Sequence, residues 1–206
     1  MTGFDVAGGR LVYAADEPTR LSELFAAERR LTDVGDAFAA GRQLAAAERF
    51  TATSADGSEV DAWVMKPVGF EPGRKYPTLL SIHGGPFGQY GNGFFDEFQV
   101  YCGAGYVVVF SNPRGSSGYS EAWARAIRGP GAAGPGWGSA DYEDCLAVTE
   151  EAMCRFDCVD GERLGVIGGS YGDYMTSWIV SHTDRFKAAV SERAVNQLVS
   201  EWGSSD

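Results

Sequence analysis

A serine flanked by glycines near residue 170 has the spacing of a catalytic nucleophile. Residues 168–172 read Gly-Gly-Ser-Tyr-Gly, a G-x-S-x-G pattern that directly follows the apolar run at residues 164–167. Between a strand and a helix, this pattern marks a serine whose strained turn lifts its hydroxyl above the sheet. The residues therefore predict that Ser170 is the nucleophile of a hydrolytic enzyme.

A second glycine-containing segment predicts the site that stabilises negative charge. His83-Gly84-Gly85-Pro86 ends another apolar run, at residues 77–83. In serine hydrolases of this build, the oxyanion is bound by the N–H after the nucleophile and by an N–H of such a loop. We expect the backbone N–H groups of Tyr171 and Gly85 to form this pair. Loss of one such donor typically costs about 2.7–4 kcal/mol of transition-state stabilisation.

Neither histidine of the chain is predicted to be the catalytic base. In α/β-hydrolases the acid and then the histidine follow the serine, whereas His83 precedes Ser170. His182 ends the helix that begins at the serine, which puts it roughly 18 Å away at about 1.5 Å per residue. We expect His83 to shape the oxyanion loop and His182 to be favoured by the helix dipole. Arg114 is expected to hold its loop in place, and Asp141 to begin a helix.

Composition excludes several classes of function. The net charge of −11 disfavours binding to nucleic acid or to an anionic membrane surface. The sequence contains neither an apolar run long enough for a membrane span nor a secretory signal, so we expect a cytoplasmic protein. The four cysteines form no C-x-x-C pair and are expected to be reduced packing residues. We expect neither a metal nor a cofactor.

Alternating strand and helix patterns predict an α/β fold with a mostly parallel sheet. Such strand–helix–strand units imply right-handed crossovers, and the loops that follow the strands meet at one edge. Residues 1 to about 45 read instead as short strands. The expected elements are an Asp-Gly hairpin at 49–64, strands at 77–83, 106–111, 164–167 and 186–191, helices at 94–102, 141–156 and 171–182, and a long loop at 112–138.

Four segments together resemble the prolyl oligopeptidase family of serine peptidases, in its acylaminoacyl-peptidase and dipeptidyl-aminopeptidase-like branch. They are HGGP at 83–86, NPRGSSGYS at 112–120, GGSYGDYM at 168–175 and HTDRFKAAVSERAV at 182–195. The resemblance implies cleavage of peptides or acylated peptides through an acyl-enzyme on Ser170. It also implies that residues 1–46 are the last strands of a β-propeller and that residues 47–206 are the N-terminal half of an α/β-hydrolase domain.

Two departures from the family pattern bear on activity. Asp173 stands where the family usually has a further glycine, and we expect its carboxylate to disfavour an oxyanion at Ser170 and to crowd the helix. The family's catalytic aspartate and histidine would follow the last residue, so we expect a truncated chain that is inactive alone. The acids well after the serine are Asp184, Glu192, Glu201 and Asp206.

Alternatives to the peptidase interpretation stay open from the sequence. One is a carboxylesterase of the same fold, which the propeller-like beginning disfavours. The other is a non-catalytic product of a truncated or split gene. We expect a peptide as substrate, and the exposed sheet edges could pair with a complementary chain or a second copy.

Overall fold

An antiparallel sheet opens the chain. The computed structural model describes residues 3–129 and 134–204, so Asp206 and residues 130–133 of the predicted long loop lie outside the described residues. The first four strands pair in sequence order, and a single helical turn, α1 (Asp36–Ala39), follows them. These strands are β1 (Gly3–Ala7), β2 (Arg10–Glu17), β3 (Arg20–Ala26) and β4 (Arg29–Arg30).

A second sheet of six strands carries the rest of the described fold. Its order is β10-β9-β7-β8-β6-β5, with parallel pairing from β10 to β8 and antiparallel pairing of β6 with both neighbours. The expected Asp-Gly turn joins β5 to β6, with Gly57 at a φ of +87°. The strands are β5 (Ala47–Thr53), β6 (Glu59–Met65), β7 (Tyr76–Ile82), β8 (Val107–Ser111), β9 (Val159–Gly168) and β10 (Ala188–Val190).

Helices cover both faces of this sheet because its central strands are apolar on both sides. Val107 and Val109 of β8 pack with Met175 and the other apolar residues of one core. Val108 and Phe110, which point the opposite way, pack in a second core. The helices are α2 (Asp96–Gly103), α3 (Glu121–Arg125), α4 (Ala140–Arg155), α5 (Tyr171–His182) and α6 (Leu198–Ser204).

Hydrogen bonds join the first sheet to the second part of the fold. The Asp16 carboxylate accepts the Phe94 N–H at 3.1 Å. The Gln99 side-chain amide donates to the carbonyl groups of Pro18 and Ala45, at 2.8 and 2.9 Å. The β-strands near the beginning of the chain therefore contact the segment around α2 directly.

The structure corrects several of the expected boundaries. The expected long loop contains α3, whose first turn is capped by the Ser120 hydroxyl accepting the Trp123 N–H. Strand β9 begins five residues before Leu164, in a polar and partly exposed stretch that an apolar pattern does not mark. The last strand, β10, has only three residues, and α6 follows it unpredicted.

All four cysteines are free thiols, as predicted. Cys102, Cys145 and Cys158 are buried, whereas Cys154 is exposed, so the predicted packing role is wrong for Cys154. Burial raises the pKa of the Cys145 thiol well above its usual value. These buried thiols therefore act as small apolar side chains. No helix among residues 3–129 and 134–204 is long and apolar enough to cross a membrane.

The carboxylate of Glu23 organises the turn that follows β4. Its side chain is buried in β3 and pairs with Arg30 at 3.0 Å. It accepts hydrogen bonds from the Thr32 hydroxyl, from the Gly35 N–H at 2.7 Å and from the Val34 N–H at 3.2 Å. One carboxylate thus binds three residues of the turn, Thr32, Val34 and Gly35.

These contacts predict that stability depends on pH. The hydrogen bond from Thr32, and then that from Gly35, lowers the pKa of Glu23 from 4.5 to about 2. A lowered carboxyl pKa stabilises the folded state above the ordinary pKa, and this contribution is lost as the pH falls toward 2. We expect Tm, measured by circular dichroism, to fall more steeply between pH 4.5 and 2 in the wild type than in Glu23→Gln. Glu28→Gln, an exposed control, should follow the wild type; equal slopes in all three proteins would contradict the prediction.

Candidate active site

Ser170 lies in a strained turn between β9 and α5. Its φ of 57° and ψ of −113° are rare for a residue with a side chain, and its side chain is exposed. The Tyr174 N–H donates to the Ser170 carbonyl at 3.1 Å, so the helix begins at the serine. The strand–turn–helix context predicted from the G-x-S-x-G pattern is therefore confirmed.

Close backbone packing explains two glycines of the turn. A Cβ on Gly172 would lie 2.8 Å from the carbonyl carbon of Ile82 and 3.0 Å from the His83 oxygen. A Cβ on Gly168 would lie 2.8 Å from the Gly172 Cα. At Gly169 the nearest atoms belong to the flexible Arg193 side chain, 3.6 Å away. Only the outer glycines of the pattern are therefore required by packing.

The predicted oxyanion loop lies directly against the serine turn. A Cβ on Gly84 would lie 3.4 Å from the Ser170 Cβ and 3.0 Å from the Gly169 oxygen. Gly85 has a φ of +129°, which favours glycine. Within the described part of the chain, neither the Gly85 N–H nor the Tyr171 N–H donates a hydrogen bond. The assignment of these two groups as oxyanion donors stays a prediction.

His83 connects two loops and does not contact the serine hydroxyl. Its Nδ1 lies 2.8 Å from the Gly84 oxygen, and its Nε2 lies 2.9 Å from the Ser116 hydroxyl. Burial lowers the pKa of His83, which favours the neutral ring. The Ser116 hydroxyl also donates to the Pro113 carbonyl at 2.6 Å, so both ring nitrogens of His83 are occupied by loop contacts. The ring holds the loop, as the sequence predicts.

The loop after β8 is held by two further side chains. Asn112 accepts the Tyr90 N–H at 2.7 Å and donates to the Tyr90 carbonyl at 2.9 Å. The Arg114 guanidinium pairs with the buried carboxylate of Asp144 in α4, from Nη2 at 2.6 Å and from Nε at 2.9 Å, and the Arg114 backbone N–H donates to the same carboxylate at 2.8 Å. Its Nη1 also pairs with Asp56 in the β5–β6 turn. The structural role predicted for Arg114 is confirmed.

Asp173 binds the backbone N–H of the serine and that of the segment after β10. Its side chain is fully buried, and Oδ2 accepts the N–H groups of Ser170 at 3.1 Å and of Arg193 at 3.0 Å. Oδ1 is buried and has no hydrogen-bond partner within the described residues. The expected crowding of helix and strand is not observed, because Gly172 and not residue 173 faces the end of β7.

His182 lies at the far end of α5, as expected. Its ring stacks on Trp178 at a centroid distance of 4.1 Å, and Nδ1 lies 2.8 Å from the Trp178 carbonyl. Glu192 is exposed and pairs with Arg193 at 3.7 Å, and Asp184 is exposed. Within residues 3–129 and 134–204, no histidine or carboxylate side chain is hydrogen-bonded to the Ser170 hydroxyl.

Asp141 is a contact of the site that sequence reasoning missed. The sequence predicts only that it begins a helix, yet it is fully buried and accepts a hydrogen bond from the Tyr171 hydroxyl. Tyr171 is the residue whose N–H is the predicted oxyanion donor. The acid at a helix start was visible in the sequence, but nothing there indicated a partner 30 residues away.

A cavity of about 150 Å³ opens beside the serine turn. Gly84 and Gly169 line the side of the cavity next to Ser170. Glu97 and Arg193 also line it and contribute one acidic and one basic side chain. The cavity can therefore accept a polar group next to the serine. Within the described residues, no three His, Cys, Asp or Glu side chains come together as a metal site.

The glycine packing yields a matched pair of substitutions. Gly172→Ala forces its methyl into the backbone of β7, and overpacking of this kind typically costs about 1–3 kcal/mol. Gly169→Ala meets only the end of a flexible side chain and should change the free energy of unfolding by less than about 0.5 kcal/mol. Urea unfolding of both variants checks this, and equal losses would contradict the packing argument.

Comparison with known proteins places the chain among peptidases. The model of the prolyl oligopeptidase family matches residues 92–206, more than half of the chain. The uncharacterized peptidase YuxL of Bacillus subtilis is 40% identical over 200 residues, which are 95% of this chain and 30% of that protein. Dipeptidyl-peptidase 5 of Aspergillus fumigatus is 36% identical over 138 residues, covering 65% of this chain and 18% of the relative.

Solved structures agree with this assignment. The acylaminoacyl peptidase of Pyrococcus horikoshii superposes with a TM-score of 0.90 at 35% identity, over 99% of this chain and 32% of that one. The matches cover 30%, 18% and 32% of these three proteins, so the chain spans a third of their length or less. The predicted fold class, an α/β-hydrolase arrangement preceded by antiparallel strands, is confirmed. By its sequence and its fold, the chain belongs to the prolyl oligopeptidase family.

Proposed function

We propose that Ser170 is the nucleophile of a serine peptidase to which this chain contributes the serine and the oxyanion site. The observation that carries the proposal is the exposed serine at a φ of 57°, with the Gly84 backbone against it. The Ser170 oxygen attacks the peptide carbonyl, the amine leaves with a proton, and water then releases the acyl group. The N–H groups of Tyr171 and Gly85 bind the oxyanion in both steps.

The serine also needs a general base, because a neutral hydroxyl is a weak nucleophile. His83 uses both ring nitrogens in loop contacts, and His182 is at the opposite end of α5. We propose that the base and its acid come from residues other than those described. Without such residues, Ser170 should react at only a small fraction of the rate of a complete Ser-His-Asp triad.

The proposed substrate is a peptide or an acylated peptide. The named relatives are an acylaminoacyl peptidase and a dipeptidyl-peptidase, which act on peptides by their names. The cavity with Glu97 and Arg193 offers opposite charges next to the serine turn, which suits the polar groups of a peptide better than those of a simple ester.

The proposed organisation includes a partner segment at the edge of the large sheet. Strand β10 is exposed along its length and, among the residues that the structure describes, pairs with β9 on one side only. Such an edge favours addition of another strand, from a complementary chain or a second copy. We also propose that residues 1–46 belong to a β-propeller and residues 47–206 to the peptidase domain, and that the protein acts in the cytoplasm.

A fluorophosphonate probe tests the nucleophile. The phosphorus bonds to an activated serine oxygen and fluoride leaves, so only a serine with a working base reacts rapidly. In the protein produced from its own gene in its source cells, we expect the label on Ser170, mapped by mass spectrometry. Ser170→Ala should abolish labelling and Ser181→Ala, on the exposed end of α5, should not. If Ser170 is not labelled under conditions in which a known serine hydrolase is labelled, the proposal is refuted.

A substrate comparison tests the peptidase assignment separately. Acylaminoacyl-anilides, dipeptidyl-anilides and short-chain nitrophenyl esters would be offered to the same protein, with Ser170→Ala as the control. We expect hydrolysis of at least one anilide. Cleavage of an amide requires a stabilised oxyanion and a proton for the leaving amine, and a serine peptidase provides both. Turnover of the esters alone would assign a carboxylesterase instead.

A further inference from the structure

We infer that Asp141 is a positioning residue for the oxyanion site, acting through the side chain of Tyr171. The inference rests on the proposed function, since it assumes that the Tyr171 N–H stabilises an oxyanion. Asp141 touches neither the serine nor a substrate. It holds the phenol of the residue that supplies the N–H.

The carboxylate of Asp141 is the centre of a buried hydrogen-bond network. Besides the Tyr171 hydroxyl, it accepts the N–H groups of Ser139 at 2.8 Å, of Tyr142 at 3.1 Å and of Gly138 at 3.2 Å. Asp141 is fully buried, and Tyr171 is 1% exposed. Burial raises the pKa of Asp141, and the hydrogen bond from Tyr171 is the largest effect that opposes it. One acid therefore joins the loop before α4 to the first residue of α5.

Aromatic packing fixes the same tyrosine ring from the side. Trp137 meets the Tyr171 ring edge-on, with the centroids 4.9 Å apart. The Tyr174 hydroxyl donates to the Trp137 carbonyl at 3.3 Å. A Cβ on Gly138 would lie 2.7 Å from the Trp178 Nε1, so this loop packs closely along α5. The ring of Tyr171 thus has little freedom to move.

This anchoring matters because of the strain at Ser170. A residue in a rare backbone conformation persists only when its surroundings hold both of its neighbours. On one side, Asp173 accepts the Ser170 N–H, and Gly172 packs against the end of β7. On the other side, the buried ring of Tyr171 holds the backbone amide of the same residue in place, because its hydroxyl donates a hydrogen bond to Asp141. Loss of that contact should let the donor drift from its position.

Tyr171→Phe removes the contact while keeping the ring and the backbone. If Asp141 positions the donor, kcat should fall about 10-fold or more while KM changes less than about twofold, since the oxyanion exists only in the transition state. Asp141→Asn should have the same effect, because an amide nitrogen in place of Oδ2 cannot accept from the Gly138 N–H or from the Tyr171 hydroxyl. Glu143→Gln, an exposed acid in the same helical turn, should match the wild type.

A spectroscopic measurement separates this inference from the proposed function. In the ¹⁵N-labelled chain, the amide cross-peak of residue 171 should shift in Asp141→Asn and stay in place in Glu143→Gln. In the protein produced from its own gene in its source cells, absence of any turnover would refute the proposed function, yet the shift in the labelled chain would still support the positioning role of Asp141. An unmoved cross-peak, or an active enzyme in which Tyr171→Phe and Asp141→Asn both keep the wild-type kcat, would overturn the positioning role of Asp141.

Discussion

The contact on which the site depends is the close approach of Gly172 to the main chain at the end of β7. No side chain fits between Gly172 and the carbonyl groups of Ile82 and His83, so α5 starts directly on the sheet. This approach puts Ser170 at the sheet edge and brings the His83–Pro86 segment against it. A helix displaced outward by even one methyl group would separate the serine from the loop that completes its site.

Buried polar side chains then hold the loops that the glycine contact brings together. His83 ties the first loop to Ser116, Asn112 binds the backbone of Tyr90, and Asp141 binds the residue after the serine. Each side chain satisfies backbone or hydroxyl groups that burial would otherwise leave unpaired. The loops are therefore ordered by buried hydrogen bonds. Loss of a buried hydrogen bond costs more free energy than loss of an exposed one.

The sequence patterns predicted those structural features that depend on residues close together in the chain. The Asp-Gly turn, the apolar run of β8 and the glycine turn before α5 each depend on neighbouring residues, and the structure has all three. The early start of β9 escaped prediction because Asp160, Glu162 and Arg163 interrupt its apolar pattern. The partners of Asp141 and Asp173 escaped it for another reason: tertiary packing alone brings residues 20 or 30 positions apart together.

The network around Arg114 has a consequence for motion. Its guanidinium bonds to the β5–β6 turn through Ser54 and Asp56, and to α4 through Ala140 and Asp144. A loop held by one neighbour can open by itself, whereas this loop opens only if several elements separate together. Its Arg114 amide, bound to Asp144, should thus exchange with solvent mainly through large-scale unfolding. The loop beside the candidate active site should therefore open slowly and together with its neighbouring elements, and not by the rapid local fluctuations of an exposed loop.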